Sequence, residues 1–374
     1  MPVTNYLSID GGDVTTTKTL LHEVLPLTGT IVSGTYGKFR TERNVKNYSH
    51  GQFQSVYDYA YLSSSANHIF DITLGYDEQS GYSGSANRVM QKKKINMYNQ
   101  FAQLLLGYTG STSDGIRKFE SDLVLDGAGA MKEVFFVNFS RLLTKDQIKK
   151  GSFSITLGTA SWDSPFKSAA DGVAARTLSD ASASVDGAGV GTCDGGEFGV
   201  LYDSGGNSAH KAGGVAHGVV FYQAGIAVIS ASAFTSASKG QYAARADIGR
   251  QFASHTTYGL QTVVNSFTGS EISSSCDALR HRIKNISFNN TTEINSKIYF
   301  CRVPHNQFNY SSNPTYTSGS KIVVKNVAED HPVSYITTVG LYNDSGELLA
   351  VAKLSEPIRK DPTNDMTIRV RLDY

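Results

Sequence analysis

The chain has 374 residues and a net charge of +1, from 34 Lys and Arg against 33 Asp and Glu. This length allows two domains, or one domain with a large insertion. The balanced charge supplies no basic excess to neutralise a nucleic-acid backbone, so we expect no nucleic-acid partner. Charged residues are only 18% of the chain, whereas Gly (36) and Tyr (20) are abundant. Such a composition favours strands and turns, and a surface that contacts other proteins.

Targeting and redox signals are nearly absent from the sequence. The first residues carry neither the basic nor the apolar region of a signal peptide, and no stretch of about 18 apolar residues follows, so we expect no membrane span. The three cysteines, Cys193, Cys276 and Cys301, are far apart and form no CxxC pair. This spacing favours free thiols over a disulfide framework or a zinc site.

The N-terminal third reads as short strands and turns, followed by one helix. Residues 53–61 and 68–75 alternate large apolar with small or polar residues, as half-buried strands do, and 15–21 and 29–37 are further strand candidates. Apolar residues at three- and four-residue spacings predict a helix over 89–106, with Gly107 as its C-cap. Lys92 to Lys94 oppose the helix dipole at the N-terminus, which predicts a start nearer Ile95. We interpret these lysines as a solvated helix end, or else as a contact for an acidic neighbour.

The middle of the chain changes in character. Residues 133–139 predict a buried strand, and Thr144 is a candidate N-cap for a short helix that ends before Gly151. A strand over 152–158 follows. From 161 to 214, Ala, Gly, Ser and Asp replace large apolar residues, which indicates an exposed insertion of loops and short strands. Residues 219–231 predict one or two buried strands.

The C-terminal hundred residues predict an antiparallel β region. Strand candidates cover 283–288, 293–303, 321–324 and 334–342, and the turn signal at 343–347 predicts a hairpin over 335–353. The alternating segment 366–374 predicts a last strand held in a sheet. The expected fold is therefore mainly β with a few helices (α+β), with a β-sandwich-like core and a Gly/Ala/Ser-rich insertion. We expect an N-terminal part (1–160), an insertion or second domain (161–270), and a C-terminal part (271–374) that packs with the first.

Motifs for chemistry are weak throughout. The glycines at 187–191 miss the spacing of a dinucleotide loop, and no GxSxG elbow occurs. His210 and His217 lie seven residues apart in a Gly-rich segment, which favours structural roles over metal binding. We therefore expect no catalytic, cofactor-binding or metal-binding residues, no cofactor, and no enzymatic activity.

One aromatic cluster is a candidate interface. Phe53, Tyr57, Tyr59 and Tyr61 would lie on one face of a strand. As core residues they would be ordinary, whereas at a rim they would form a contact surface for another protein. Both interpretations remain open from the sequence.

Four segments resemble structural proteins of large contractile-tailed phages, particularly marine and cyanobacterial ones. They are SVYDYAYLSSSANHIFDITLGY (55–76), EVFFVNFSRLLTKDQIKK (133–150), VVFYQAGIAVI (219–229) and GLYNDSGELLAVAKLSEPIRKDPTNDMTIRVRLDY (340–374). The C-terminal segment alone is similar to the end of baseplate wedge subunits. This resemblance transfers no functional residue, because the shared pattern is structural.

The resemblance implies a non-enzymatic virion protein, assembled in the cytoplasm of the bacterial host. We expect it in the tail baseplate, where it would form a homo-oligomer and contact other baseplate or tail proteins. Two alternatives are a head, neck or collar decoration or connector protein, and a fibre-associated module that binds a receptor or glycan.

Overall fold

A computed structural model describes most of the chain. The described residues are 6–28, 43–81, 83, 89–108, 115–121, 123, 129–158, 167–168, 172–173, 175–185, 190–203, 215–234, 272, 276, 279–280, 282–311, 317–318, 321–322 and 331–374. They form two compact units, a smaller one of Met1–Leu20 with Glu293–Tyr374 and a larger one of Leu21–Thr292. The three-part division at 160 and 270 stays a prediction, since 159–166 and 235–271 lie outside the described residues. The candidate strand at 29–37 also lies outside them.

The fold is mainly β with few helices, as the composition predicted. Two strands contribute residues to both units, β1 (Val14–Thr28) and β15 (Ile283–Val303). The other strands of the larger unit are β2 (Val45–Asn47), β3 (Gln54–Tyr57), β4 (His68–Tyr76), β5 (Glu133–Phe139), β6 (Gln147–Ile148), β7 (Ser154–Gly158), β8 (Lys167–Ser168), β9 (Gly172–Val173), β10 (Ala175–Ser179), β11 (Val190–Cys193), β12 (Gly196–Asp203), β13 (Ala216–Phe221) and β14 (Ile226–Ser230). Its helices are α1 (Val89–Leu106), α2 (Arg141–Thr144) and α3 (Ser182–Val185).

One large sheet organises the larger unit. Its strand order is β1-β15-β7-β10-β12-β13-β14-β5-β4-β3-β2, and every neighbouring pair from β15 to β2 is antiparallel. Because successive side chains of a strand point to opposite faces of the sheet, its apolar residues form two layers, one on each face. One layer lies between the sheet and α1, where Tyr98, Phe119, Phe136 and Phe221 are buried. The other lies on the opposite face of the sheet and is the more extensive layer.

The sheet curls around this second layer. Phe139 of β5 and Phe288 of β15 have ring centroids 5.1 Å apart, although the two strands are six positions apart in the sheet. Phe153, which precedes β7, contacts both rings at 5.8 and 6.2 Å. The curled sheet thus encloses its core as a sandwich does, with one continuous sheet in place of two.

Helix α1 spans 89–106, as the apolar spacing predicted, but it does not start later, as the helix dipole argument predicted. It begins at Val89, so the expected start near Ile95 is wrong. Lys94 is fully buried, and burial lowers the pKa of its amine to about 8, so the interpretation of all three lysines as a solvated helix end is also wrong. Leu104, one of the apolar residues of this helix, is exposed.

The described part of residues 161–214 is not a mainly exposed insertion. It includes β10 and β12, which lie inside the sheet between β7 and β13. Leu178, Val200 and Leu201 of these strands are buried. Gly199 of β12 has no room for a side chain, because a Cβ there would lie 1.9 Å from the Tyr222 hydroxyl.

Thr144 does not cap a helix that runs to 150. It ends the one-turn helix α2, and Lys145 follows with φ of 55°. The chain then enters β6, which pairs with β15 through Ile148 and Asn290. Pairing with a strand far away in the sequence therefore makes this segment a strand, and a local pattern cannot predict such pairing.

The smaller unit contains the C-terminal strands. The hairpin strands are β18 (Ser334–Tyr342) and β19 (Leu348–Lys360), β20 (Met366–Asp373) pairs with β15, and β16 (Thr317–Ser318) pairs with β17 (Lys321–Ile322). The predicted hairpin and the last strand held in a sheet are confirmed. The two strands predicted over 283–288 and 293–303 are one continuous strand, β15. Leu341, Val303, Ile368 and Val370 form a small core between hairpin and β15–β20.

Candidate interaction surfaces

The aromatic residues predicted from sequence do not share one strand. β3 ends at Tyr57, where Asp58 begins a closed loop. The Asp58 carboxylate accepts hydrogen bonds from the backbone N–H groups of Tyr59 (2.8 Å) and Asn67 (2.6 Å), and from the Asn67 side-chain amide (2.8 Å). The expectation of a single strand face is therefore wrong. We call residues 58–67 the aromatic loop.

The aromatic loop exposes three large apolar side chains. Tyr59 is 56% exposed, Tyr61 37% and Leu62 85%. Tyr61 contacts Tyr57 at the base of the loop, with ring centroids 6.3 Å apart. Phe53 contacts Tyr48 and His50, and the Tyr48 side chain in turn hydrogen-bonds that of Tyr57. A role of these aromatic residues as an interface stays a prediction.

A polar chain supports the base of the aromatic loop. Asp71 accepts a hydrogen bond from the buried Ser55 hydroxyl and pairs with His68 Nε2 at 2.8 Å. Burial raises the pKa of the neighbouring Tyr57 phenol, and Tyr48 and Asp71 add to the effect. Here the carboxylate lies between the serine and the histidine. In a catalytic triad the histidine contacts the serine directly and activates it, so this arrangement does not activate a nucleophile. The arrangement orders the loop.

A second exposed apolar surface lies on the hairpin of the smaller unit, and sequence reasoning missed it. The inner residues of β18 and β19 face the small core, while Tyr342, Leu348 and Val351 point outward and are 44–52% exposed. Leu349 beside them is 68% exposed, and the ring of Tyr6 contacts Tyr342 at 4.8 Å. We call the outward side of β18–β19, together with Tyr6, the hairpin face. The turn residues predicted the hairpin, but not that its outward side would be apolar.

An open cleft of about 580 Å³ lies beside the C-terminus of α1. Leu104 and Ile226 supply apolar lining, and Asp194 and Gln223 supply polar groups. The turn between β11 and β12 closes one side, where the Gly195 N–H donates to the Leu105 carbonyl at 2.9 Å. The cleft is shallow, and its polar groups do not converge on one point as in a small-molecule site.

A buried charge network fixes the ends of β10, β12 and β13. Arg176 pairs with Asp203 at 2.9 Å, and its guanidinium donates to Nε2 of His217 at 3.3 Å. The other ring nitrogen of His217 is 3.0 Å from the Ser232 hydroxyl. Burial, together with the charge of Arg176, lowers the pKa of His217 to about 3. His217 is therefore a neutral structural residue, whereas His210 and the glycines at 187–189 lie outside the described residues.

Asp180 is a second buried polar centre, at the end of β10. It accepts hydrogen bonds from the Tyr222 hydroxyl and from the backbone N–H groups of Gly151 and Phe153, each at 2.8 Å. Burial raises the pKa of Asp180 to about 6 despite these three donors. The carboxyl ties β10, β13 and the turn before β7 together, and this role is structural.

The three cysteines are free, and burial raises the pKa of the Cys193 and Cys301 thiols. Within the described part of the chain, no group of three or more His, Cys, Asp or Glu side chains could hold a metal ion. Among the helices of that same part, none is both long and apolar enough to span a membrane. No family model, no curated protein and no solved structure matches the chain.

Proposed function

We propose that this protein is a non-enzymatic structural component of a phage virion, located in the tail baseplate. It would act through self-association and through contacts with other virion proteins. The observation that carries the proposal is the aromatic loop, a closed loop with exposed Tyr59, Tyr61 and Leu62. The resemblance of four segments to structural proteins of contractile-tailed phages supports the same conclusion.

A preformed apolar loop suits protein–protein contact for a physical reason. Ordering a flexible loop on binding costs free energy, and the Asp58–Asn67 hydrogen bonds meet that cost in advance. Tyrosine side chains also contribute a large share of the binding energy at protein interfaces. Mutation of Tyr59 and Tyr61 to Ala should therefore weaken incorporation into the particle without unfolding the protein.

Immunogold electron microscopy of intact virions tests the location. Gold at the tail tip supports the baseplate assignment. Gold on the head or collar contradicts the baseplate assignment and favours the alternative of a head, neck or collar protein. Copy number gives an independent check, since a baseplate protein is expected in multiples of about six and a capsid protein in far higher numbers.

The exposed tyrosines also favour a second function, recognition of a glycan by a fibre-associated module. Aromatic rings stack on the apolar faces of sugars, and Tyr59 is accessible for such a contact. A glycan array probed with the purified protein tests this function. A signal that is lost in Tyr59→Ala, but kept in the exposed control Tyr310→Ala, would favour glycan binding.

A further inference from the structure

The Tyr342 ring lies along the hairpin face, close to the backbone of Gly340. A Cβ on Gly340 would lie 2.9 Å from the ring of Tyr342 and 3.2 Å from the side chain of Leu348. The Tyr342 ring therefore lies down over Gly340 and does not project into solvent. Val351, directly opposite Gly340 in the hairpin, continues the same surface.

The hairpin face is large enough to form the centre of an interface. Its apolar side chains are Tyr6, Tyr342, Leu348, Leu349 and Val351. From their exposed fractions they present roughly 500 Å² of surface, at the upper end of the apolar patches that monomeric proteins expose. A stable interface buries about 800 Å² per partner, with a polar rim around an apolar centre.

Charges of opposite sign lie at the two ends of this surface. The turn at the hairpin tip carries Asp344 and Glu347, both exposed. Lys353, beyond the apolar centre, pairs in register with Thr338. Arg359 lies further towards the root and is paired with Asp361 at 3.4 Å, so Lys353 carries the positive charge used at this end. An antiparallel arrangement of two such surfaces about Val351 places the acidic tip of each copy near the basic end of the other.

We propose that the hairpin face binds the hairpin face of a second copy of this chain, antiparallel about a two-fold axis near Gly340 and Val351. Such an interface is isologous, so each Glu347 faces the Lys353 of the other copy. The apolar centre is excluded from water, and the charged ends fix the direction of the pair. This inference deepens the proposed function and rests on it in one respect, the self-association of the chain.

Sedimentation velocity of the full chain over a range of concentrations tests the inference. We expect a dimer for the wild type and an at least tenfold higher dissociation constant for Val351→Lys, which places a charge in the apolar centre. Val24→Lys, at a 66% exposed position of β1 in the larger unit, is the matched control and should leave the dimer intact. Circular dichroism of each variant checks that it is folded.

Charge reversal makes the test independent of folding defects. Glu347→Lys and Lys353→Glu should each weaken the dimer, and the double variant should restore it because both ends are exchanged together. A monomeric wild type at 100 µM would overturn the inference, as would a dimer insensitive to Val351→Lys or a double variant without restoration. The location of the protein in the virion is measured separately, so failure here is distinguishable from failure of the baseplate assignment.

Discussion

Mutation of Tyr222 to Phe should destabilise the protein in a pH-dependent way. The Tyr222 hydroxyl donates a 2.8 Å hydrogen bond to the buried carboxyl of Asp180, whose pKa burial raises to about 6. At pH 7.5 the carboxyl is ionised, and a hydrogen bond to a charged group contributes about 2 kcal/mol. At pH 5 the carboxyl is protonated, and a neutral hydrogen bond contributes about 1 kcal/mol.

The sign follows from linkage between protonation and folding. Because the pKa of Asp180 is higher in the folded state than its ordinary value of 3.8, folding favours the protonated carboxyl. Its contribution to stability is greatest below about pH 4 and falls as the pH rises towards 6. The difference between the two pKa values corresponds to about 3 kcal/mol. Loss of the Tyr222 hydroxyl makes the ionised state still less favourable, which adds to the loss at neutral pH.

Urea unfolding at pH 5.0 and pH 7.5 measures the effect. The free energy of unfolding of Tyr222→Phe should fall by about 2 kcal/mol at pH 7.5 and by about half as much at pH 5.0. Tyr98→Phe is the matched control, since its hydroxyl donates to the Met131 carbonyl and accepts from the Phe119 N–H, both neutral groups. Equal losses for Tyr222→Phe at both pH values would refute the role given to Asp180.

Three further predictions concern the core of the larger unit. Phe288→Ala should lower the free energy of unfolding, measured by urea unfolding, by about 4 kcal/mol, because it removes a buried ring that contacts two distant strands. The exposed control Leu62→Ala should change this free energy by less than about 0.5 kcal/mol. Gly75→Ala should lower the melting temperature, with a cost of about 2 kcal/mol, because the new Cβ would lie 2.7 Å from the backbone of α1; an unchanged melting temperature would contradict the close approach. His217 should stay neutral from pH 5 to 8 in an NMR titration, since its pKa is lowered to about 3, and a titration midpoint above 5 would contradict its burial beside Arg176.

Local patterns predicted the elements that depend on local physics. Apolar spacing placed α1 at its observed bounds, and the turn residues at 343–347 placed the hairpin. Both depend on interactions between residues close in sequence. The burial of Lys94 depends instead on what packs against the helix, which spacing alone cannot indicate.

Composition gave a wrong prediction where small residues pack against large side chains. Position 199 of the internal strand β12 is a glycine because the Tyr222 side chain occupies the space that a larger residue would need. A Gly- and Ala-rich segment therefore read as exposed loops, although β10 and β12 are core strands. Which large side chains pack against a segment is decided by the fold, so it cannot be predicted from that segment alone.

The candidate surfaces were predictable only in part. Tyr57, Tyr59 and Tyr61 were candidate interface residues, with core and rim both left open, and the strand was expected to continue beyond Tyr57. Asp58 and Asn67 are both residues that favour turns, and this signal could have indicated the loop. The hairpin face requires knowledge of which side of β18–β19 packs on the small core, and that depends on pairing between β15 and β20.

Quantitative mass spectrometry of purified virions measures directly whether this protein is a virion component. We expect the protein in the particle at a fixed copy number, in multiples of about six, as a symmetric baseplate component. Its absence from highly purified particles would contradict the assignment as a virion structural protein.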